Sequence, residues 1–255
     1  MPYLGEAEPN CERRPTRARR RPRRLGSQVW KRAGGLGYEG AMNAPSPALD
    51  GLVARRPVIP VLTLDEPAAA LALARALAAG GLDVLEVTLR TARALECIRA
   101  IVAEIPGVDV GAGTVLEPWQ MEAAAEAGAR FLVSPGATAR LLDAAATSPA
   151  PWLPGAASAS EAMRLRERGY TLLKFFPAEP LGGVAALKAI APVLPDLRFC
   201  PTGGINAAKA PAYLALPNVV AVGGSWAAPA AAVAAGRWDE VTRLAAEAAA
   251  LLPRA

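Results

Sequence analysis

The sequence predicts a single α/β domain with the architecture of a (β/α)8 barrel. Three observations support this prediction: the chain length, the alternation of short apolar runs with alanine-rich segments, and the number of those runs. The chain has 255 residues, of which 53% are hydrophobic, and this is enough to bury a full core. Eight apolar runs, each followed by a helical segment, are typical of a closed parallel barrel rather than of a doubly wound sheet.

The predicted strands are runs of apolar and β-branched residues, and the predicted helices are the alanine-rich segments that follow them. The strands cover residues 57–63, 83–89, 108–113, 130–134, 151–156, 170–176, 197–202 and 219–223. The helices cover residues 65–80, 91–105, 117–127, 138–147, 158–168, 183–192, 206–214, 227–235 and 237–252. The weakest patterns are the fifth strand, which contains Pro154 and Gly155, and the seventh helix, which contains Pro211.

Residues 1–49 form a segment rich in Arg, Pro and Gly, without hydrophobic periodicity, which predicts disorder. A secretory signal would need an apolar core, and a transit peptide would contain more Ser and less Glu. The basic residues are also compatible with a tail that binds nucleic acid. We favour an upstream extension, with Met42 as the start of the protein and residues 50–255 as the folded domain.

The composition excludes several classes of function for that domain. The net charge of +5 belongs to the first segment, because residues 42–255 carry 18 basic and 19 acidic side chains. The sequence contains no run of about 18 apolar residues that would predict a membrane span. Its three cysteines have no CxxC spacing, which fits a soluble protein of the cytoplasm. The chain has no histidine, so proton transfer must use carboxylates, lysine, tyrosine or water, and no metal site is expected.

The second predicted strand carries polar side chains on one face. Glu86, Thr88 and Arg90 alternate with apolar residues, so they share a face that cannot lie against apolar helices. Both faces of a parallel barrel sheet are covered, and we therefore expect this polar face to line the barrel interior. Catalytic groups in such barrels project from the carboxyl ends of the strands.

Lys174 lies inside the apolar run 172–177 and is one of only four lysines among 28 basic residues. Hydrocarbon neighbours penalise the ammonium form, which favours a free amine able to attack a carbonyl. Strand parity brings Lys174 and Glu86 to the same mouth of the barrel, where Glu86 can transfer protons directly or through water. The alternatives are a lysine that packs its stem and extends its head to water, and an ion pair of Glu86 with Arg90 or Lys174.

Glycine-rich turns at residues 201–205 and 223–226 follow the last two predicted strands. Turns at these places in barrels frequently bind phosphate, because glycines expose backbone N–H groups; alternatively, the glycines serve only tight turns. The turn at residues 111–114 offers a hydroxyl group and amides to a carboxylate. Residues 134–136 are expected to form part of the wall of the site.

Six motifs in order resemble the bacterial 2-keto-3-deoxy-6-phosphogluconate (KDPG) aldolases, which are also 4-hydroxy-2-oxoglutarate aldolases. The resemblance runs from about Pro57 to Leu252 and leaves residues 1–41 uncovered. The motifs are Glu-Val-Thr-Leu-Arg at 86–90, Gly-Ala-Gly-Thr at 111–114, Ser-Pro-Gly at 134–136, Lys-Phe-Phe-Pro-Ala-Glu at 174–179, Pro-Thr-Gly-Gly-Ile at 201–205 and Gly-Gly-Ser-Trp at 223–226.

The resemblance implies a class I aldolase without metal or cofactor, usually a homotrimer, that acts in the Entner–Doudoroff pathway. It makes Lys174 the Schiff-base lysine and Glu86 the general acid and base. Arg90 and Thr114 would hold the pyruvate carboxylate, and Phe176 would be an apolar neighbour of the imine. The groups that would receive the distal phosphate are Thr202, Gly203, Gly204, Gly224 and Ser225.

The implied reaction cleaves 2-dehydro-3-deoxy-6-phosphogluconate to pyruvate and glyceraldehyde 3-phosphate. Alternative substrates are 4-hydroxy-2-oxoglutarate and the phosphogalactonate epimer; Thr202 could address the C4 hydroxyl, which slightly favours the gluconate configuration. An alternative of another class is a phosphate-binding barrel that is not an aldolase and does not need Lys174. The chain departs from many members of the family at residues 62–63, where Leu-Thr stands near the position of an arginine.

Overall fold

The computed structural model describes residues 47–251. Its strands overlap all the predicted ones: β1 Val58–Leu62, β2 Val84–Thr88, β3 Asp109–Gly113, β4 Phe131–Val133, β5 Trp152–Leu153, β6 Gly155–Ala156, β7 Leu172–Phe175, β8 Arg198–Pro201 and β9 Val222–Gly224. Its helices are α1 Pro47–Ala54, α2 Pro67–Ala79, α3 Ala94–Glu104, α4 Pro118–Glu126, α5 Ala139–Ala145, α6 Ala159–Glu167, α7 Gly183–Ile190, α8 Ala210–Leu214, α9 Ala230–Ala234 and α10 Trp238–Ala249.

The strands form a closed parallel ring. One sheet has the order β5-β4-β3-β2-β1-β9 and the other the order β6-β7-β8. Only Pro154 separates β5 from β6, so these two strands are the halves of the predicted fifth strand. Parallel bridges from Phe199 to Val219 and from Thr202 to Gly223 close the ring on its other side. The predicted (β/α)8 barrel is therefore confirmed.

The side chains of each strand divide between two apolar clusters, as strand parity predicts. Leu85 and Val87 of β2 belong to the large cluster between the strands and the helices. Val84 of the same strand belongs to a smaller cluster inside the barrel. Glu86 and Thr88 share the inward parity of Val84 and line the interior, whereas Arg90, predicted on the same face, lies beyond the end of β2 and is exposed.

Helix α1 closes the amino-terminal end of the barrel. Its Leu49 and Val53 are buried in the inner cluster, together with Val84, Phe131 and Leu172, each the first residue of a strand. Disorder was predicted through residue 49, and this is wrong for residues 47–49, which begin α1. A short helix is stabilised here by the tertiary contact of two apolar side chains, which periodicity over eight residues does not reveal. The rest of the predicted disordered segment, residues 1–46 with the proposed start at Met42, lies outside the described residues.

Helix α8 begins later than predicted, at Ala210 instead of residue 206. Pro211 lies in its first turn, where the missing N–H of a proline leaves no helical hydrogen bond unmade. Pro211 therefore starts this helix and does not interrupt it. Residues 206–209 instead form a turn in which the backbone N–H of Lys209 donates to the side-chain oxygen of Asn206 at 3.1 Å.

An arginine–aspartate cluster ties the segment before β1 to the amino-terminal ends of β2 and β3. Arg56 donates two hydrogen bonds of 2.9 Å to the carboxylate of Asp83, and Arg55 donates one of 2.6 Å to Asp109. Burial of Asp83 acts to raise its pKa, but the hydrogen bond from Arg56 and the charges of Arg55 and Arg56 outweigh this and hold the pKa below its ordinary value.

We expect Asp83→Asn to destabilise the protein in a pH-dependent way. A lowered pKa in the folded state stabilises the fold above the unfolded pKa of about 3.9, and this contribution disappears as the pH falls through the folded pKa. The free energy of unfolding should therefore drop by about 1–2 kcal/mol at pH 7, and the difference from wild type should shrink below about pH 4. Urea unfolding followed by circular dichroism between pH 7 and pH 3 measures both effects.

Asp196→Asn is the matched control, because Asp196 forms an exposed ion pair with Arg166 on the outside of the barrel. Solvent screens that pair, so its loss should cost less at pH 7. An equal cost in both variants would contradict the special role given to Asp83.

Candidate active site

Lys174 and Glu86 form a buried ion pair across the interior of the barrel. Glu86 lies in the middle of β2 and Lys174 in β7, and these strands lie on opposite sides of the ring. The distances from Lys174 Nζ to the two carboxylate oxygens of Glu86 are 3.0 and 3.4 Å. Lys174 is only 5% exposed and Glu86 only 4%. The predicted convergence of these two residues is found, and it takes the form of an ion pair.

A glycine on the neighbouring strand makes room for the Glu86 carboxylate. Gly113 is the last residue of β3, and a Cβ atom built there would lie 2.2 Å from Glu86 Oε1. Real Cβ atoms do not approach an oxygen so closely, so any larger residue would displace the carboxylate. The sequence motif at 111–114 contains this glycine, but the sequence alone did not reveal that it borders Glu86.

Besides Glu86, Lys174 has two uncharged neighbours, Phe176 and Cys200. Its Nζ lies 5.5 Å from the centre of the Phe176 ring. Cys200 pairs with Lys174 in the register of β7 and β8, and burial raises the pKa of its thiol to about 12. Cys200 is therefore an uncharged neighbour of the pair at neutral pH. Sequence reasoning missed Cys200, because its place beside Lys174 depends on the register between two strands.

Arg90 and Thr114 meet where β2 and β3 end. Arg90 Nε donates a 3.1 Å hydrogen bond to Thr114 Oγ1. Arg90 is exposed and Thr114 half-buried, and the backbone of Thr114 has a φ of 58°, a left-handed conformation that a threonine rarely adopts. The structure thus brings together the two residues predicted to hold a carboxylate. Strained backbone of this kind often occurs at functional sites.

The two glycine turns lie side by side. The bridge between Thr202 and Gly223 joins them, and a Cβ on Gly223 would lie 2.3 Å from Thr202 Oγ1. Gly203 and Gly204 have φ values of 108° and 79°, which strongly favour glycine. Gly224 is covered by the Trp226 ring, since a Cβ there would lie 1.9 Å from that ring.

Phe176 connects the lysine to these turns. Its ring faces Lys174 on one side, and a Cβ on Gly203 would lie 3.4 Å from the same ring. Thr202 is buried and Ser225 is exposed, so the first can line the interior while the second lies at the rim. Phe176, Thr202, Gly203, Gly204, Gly224 and Ser225 are therefore arranged along one side of the barrel mouth.

Thr63, just after β1, forms a pair with Thr88 at the end of β2. The hydroxyl groups of Thr63 and Thr88 lie 3.1 Å apart, and Thr88 also donates to the carbonyl of Leu62 at 2.9 Å. This part of the site therefore presents neutral hydroxyl groups. The polar parity of β2 pointed to Thr88, whereas nothing in the sequence singled out Thr63 as its partner.

Within residues 47–251, no group of three or more Cys, Asp or Glu side chains is placed to hold a metal ion. The helices of this described part are also too short or too polar to cross a membrane.

The fold and the site define the class of protein: a (β/α)8 barrel with a buried lysine–carboxylate pair in its interior. A model of the family described as "KDPG and KHG aldolase" matches residues 49–244. The chain belongs to this family and is an aldolase, a carbon–carbon lyase. The alternative of a phosphate-binding barrel without aldolase activity is therefore wrong.

Individual proteins to which the chain is similar are also aldolases of this kind. The chain is 51% identical over 200 residues to a 2-dehydro-3-deoxy-phosphogluconate aldolase of Pseudomonas aeruginosa, covering 78% of this chain and 91% of that protein. A solved KDPG aldolase from Legionella pneumophila, with pyruvate captured as a covalent carbinolamine, is 46% identical with a TM-score of 0.77, covering 78% of this chain and 97% of the other. The KDPG aldolase of Zymomonas mobilis with 3-phosphoglycerate is 49% identical with a TM-score of 0.75, covering 81% and 97%.

We expect Gly113→Ala to impair the aldolase by displacing Glu86. The added methyl group overlaps the carboxylate, and overpacking of a core position costs about 1–3 kcal/mol of stability. The rate of aldol cleavage should fall by at least about tenfold, because the carboxylate leaves its place beside Lys174. Steady-state kinetics and thermal unfolding of the variant measure the two effects.

Gly51→Ala is the control, since, apart from the adjacent residues and the backbone of its own helix, no described atom lies within 4 Å of a Cβ at Gly51 in α1. That variant should keep its activity and lose no stability, because alanine favours a helix more than glycine does. Full activity of Gly113→Ala would contradict the close packing of Glu86 against Gly113.

Proposed function

We propose that this chain is a Schiff-base aldolase that cleaves 2-dehydro-3-deoxy-6-phosphogluconate to pyruvate and glyceraldehyde 3-phosphate. The observation that carries the proposal is the buried ion pair in which Lys174 Nζ lies 3.0 Å from Glu86 Oε1. A relative of the same family holds pyruvate as a covalent carbinolamine, which supports an amine nucleophile in this chain. Lys174 is the nucleophile, and Glu86 transfers the protons.

The reaction begins with proton transfer within the ion pair. Glu86 accepts a proton from the ammonium group of Lys174, and the free amine adds to the C2 ketone of the substrate. The resulting carbinolamine loses its hydroxyl group as water when Glu86 returns a proton to it. The product is a protonated imine between Lys174 and C2, which can accept an electron pair.

Bond cleavage uses this imine as the electron acceptor. The C4 hydroxyl group gives its proton to Glu86, directly or through a water molecule, and the C3–C4 bond breaks. The bonding electrons move into the imine and form the enamine of pyruvate, while C4 becomes the aldehyde of glyceraldehyde 3-phosphate. Protonation of the enamine at C3, followed by hydrolysis of the imine, releases pyruvate and restores the amine of Lys174.

The two ends of the substrate are held by different parts of the mouth. Arg90 and the hydroxyl group of Thr114 bind the carboxylate next to C2, and the planar guanidinium can donate two parallel hydrogen bonds. Phe176 packs against the imine. The phosphate is received by Thr202, Gly203, Gly204, Gly224 and Ser225, whose glycines offer backbone N–H groups.

A phosphorylated substrate is supported by the adjacency of the two glycine turns and by the Zymomonas mobilis relative with 3-phosphoglycerate. 4-Hydroxy-2-oxoglutarate and the phosphogalactonate epimer are the alternative substrates in this proposal. We further propose a homotrimer that acts in the Entner–Doudoroff pathway in the cytoplasm, with no nucleic acid, membrane, metal or cofactor as partner.

Incubation with pyruvate and borohydride should attach a reduced pyruvyl group to Lys174. Borohydride reduces the imine to a stable secondary amine, which peptide mapping by mass spectrometry locates. Lys174→Met should abolish the adduct. Lys188→Arg is the control, because Lys188 is exposed on α7 and should not affect trapping. An adduct on Lys188 or Lys209 in the wild-type protein, or none at all, would contradict the mechanism.

The substrate preference can be measured as kcat/KM for the three candidate substrates. We expect 2-dehydro-3-deoxy-6-phosphogluconate to exceed 4-hydroxy-2-oxoglutarate by at least about a hundredfold, because charge-assisted hydrogen bonds to the phosphate contribute to transition-state binding. The galactonate epimer should lie between them. A preference for the unphosphorylated substrate would contradict the proposal that the glycine turns bind phosphate.

A further inference from the structure

A cluster of three polar side chains lies behind the turn that follows β8. The carboxylate of Glu179 accepts hydrogen bonds from the hydroxyl group of Tyr213 and from the ammonium group of Lys209. Tyr213 belongs to α8 and is 1% exposed, and Lys209 immediately precedes that helix. Glu179 itself follows β7. The carboxylate therefore ties the segment after β7 to the start of α8.

Glu179 also contacts the turn itself. Its backbone N–H donates to the carbonyl of Gly203 at 3.1 Å, beside a bond of 2.9 Å from Ala178 to Thr202. A Cβ on Gly204 would lie 2.8 Å from both Cβ and Cγ of Glu179. The turn thus rests against Glu179 through the backbone at Gly203 and through the side-chain stem at Gly204.

The carboxylate is held in its ionised form. Hydrogen bonds from Lys209 and Tyr213 lower the pKa of Glu179, and burial together with the adjacent carboxylate raises the pKa of Tyr213. The hydroxyl group of Tyr213 therefore remains a donor. A Cβ on Gly183 would lie 2.7 Å from the Tyr213 hydroxyl oxygen and 3.1 Å from Glu179 Oε1, so the two groups have little room to move.

The cluster is not required to close the barrel. The bridges Phe199–Val219 and Thr202–Gly223 join the last two strands without it. What Glu179 fixes is the position of Gly203 and Gly204 relative to the strand that carries Lys174. In the proposed function, the distance between the reacting carbonyl and the distal phosphate of the substrate depends on where these two glycines lie relative to that strand.

We propose that Glu179 is a positioning residue for the distal phosphate of the substrate. It acts through Gly203 and Gly204, whose backbone N–H groups it holds in the orientation that receives the phosphate. This inference rests on the proposed function. The side-chain partners of Glu179 are Lys209 and Tyr213 rather than Lys174 or Glu86, and it takes no part in the carbonyl chemistry.

Glu179→Gln tests this role with little change of shape. The amide oxygen can still accept one hydrogen bond, but the NH2 group cannot accept the other, so either Tyr213 or Lys209 loses its acceptor. The KM for 2-dehydro-3-deoxy-6-phosphogluconate should rise about tenfold with kcat nearly unchanged. The kcat/KM for 4-hydroxy-2-oxoglutarate, which has no phosphate, should change by less than about twofold, and pyruvate trapping on Lys174 should be as in wild type.

The matched control is Glu247→Gln, which removes an exposed ion pair with Arg243 on α10 and should leave all these quantities unchanged. Tyr213→Phe is a second variant that keeps the buried ring and removes one donor. It should produce the same selective rise in KM, and it decides the matter if Glu179→Gln does not fold.

An equal loss for the phosphorylated and the unphosphorylated substrate, or no loss for either, would overturn the positioning role. Wild-type protein that is not trapped by pyruvate and borohydride would instead contradict the proposed function. Wild-type protein that is trapped normally, with Glu179→Gln indistinguishable from it, would contradict only the inference about Glu179.

Discussion

The ion pair of Lys174 and Glu86 is the constraint on which the interior of this barrel depends. Each charge is almost fully withdrawn from water, and an unpaired charge there would cost several kcal/mol. The two residues come from opposite strands, so their pairing requires the ring to be closed and in correct register. The surroundings of the pair meet the same constraint. Gly113 leaves space for the carboxylate of Glu86, and the neutral thiol of Cys200 adds no competing charge.

The two ends of the barrel serve different purposes. At the amino-terminal end, the apolar contacts of α1 and the Arg56–Asp83 pair stabilise the fold. At the carboxyl end, polar groups, left-handed glycines and the strained Thr114 lie close together. This separation allows the mouth to hold features that are poor for stability, since the opposite end and the outer shell of helices supply the packing.

Much of this arrangement could be predicted from the sequence. Strand parity identified the inward face of β2 and brought Glu86 and Lys174 together, because period two in a covered sheet leaves few alternatives. Features that depend on register or on distant contacts could not be predicted. The neighbours Gly113 and Cys200 belong to this group, as does the contact of Thr63 with Thr88. Helix α1 was missed because its stability comes from Leu49 and Val53 inside the barrel and not from its own sequence.

Helix α1, which closes the amino-terminal end of the barrel, limits how far the domain can be shortened for crystallisation or fusion. The first strand begins at Val58, and a boundary chosen from the strand pattern alone would fall after the helix. Such a cut would expose Val84, Phe131 and Leu172 to water at the bottom of the barrel. An exposed apolar patch of this kind promotes aggregation. A shortened protein should therefore begin upstream of Pro47, although the residues proposed for catalysis all lie beyond residue 85.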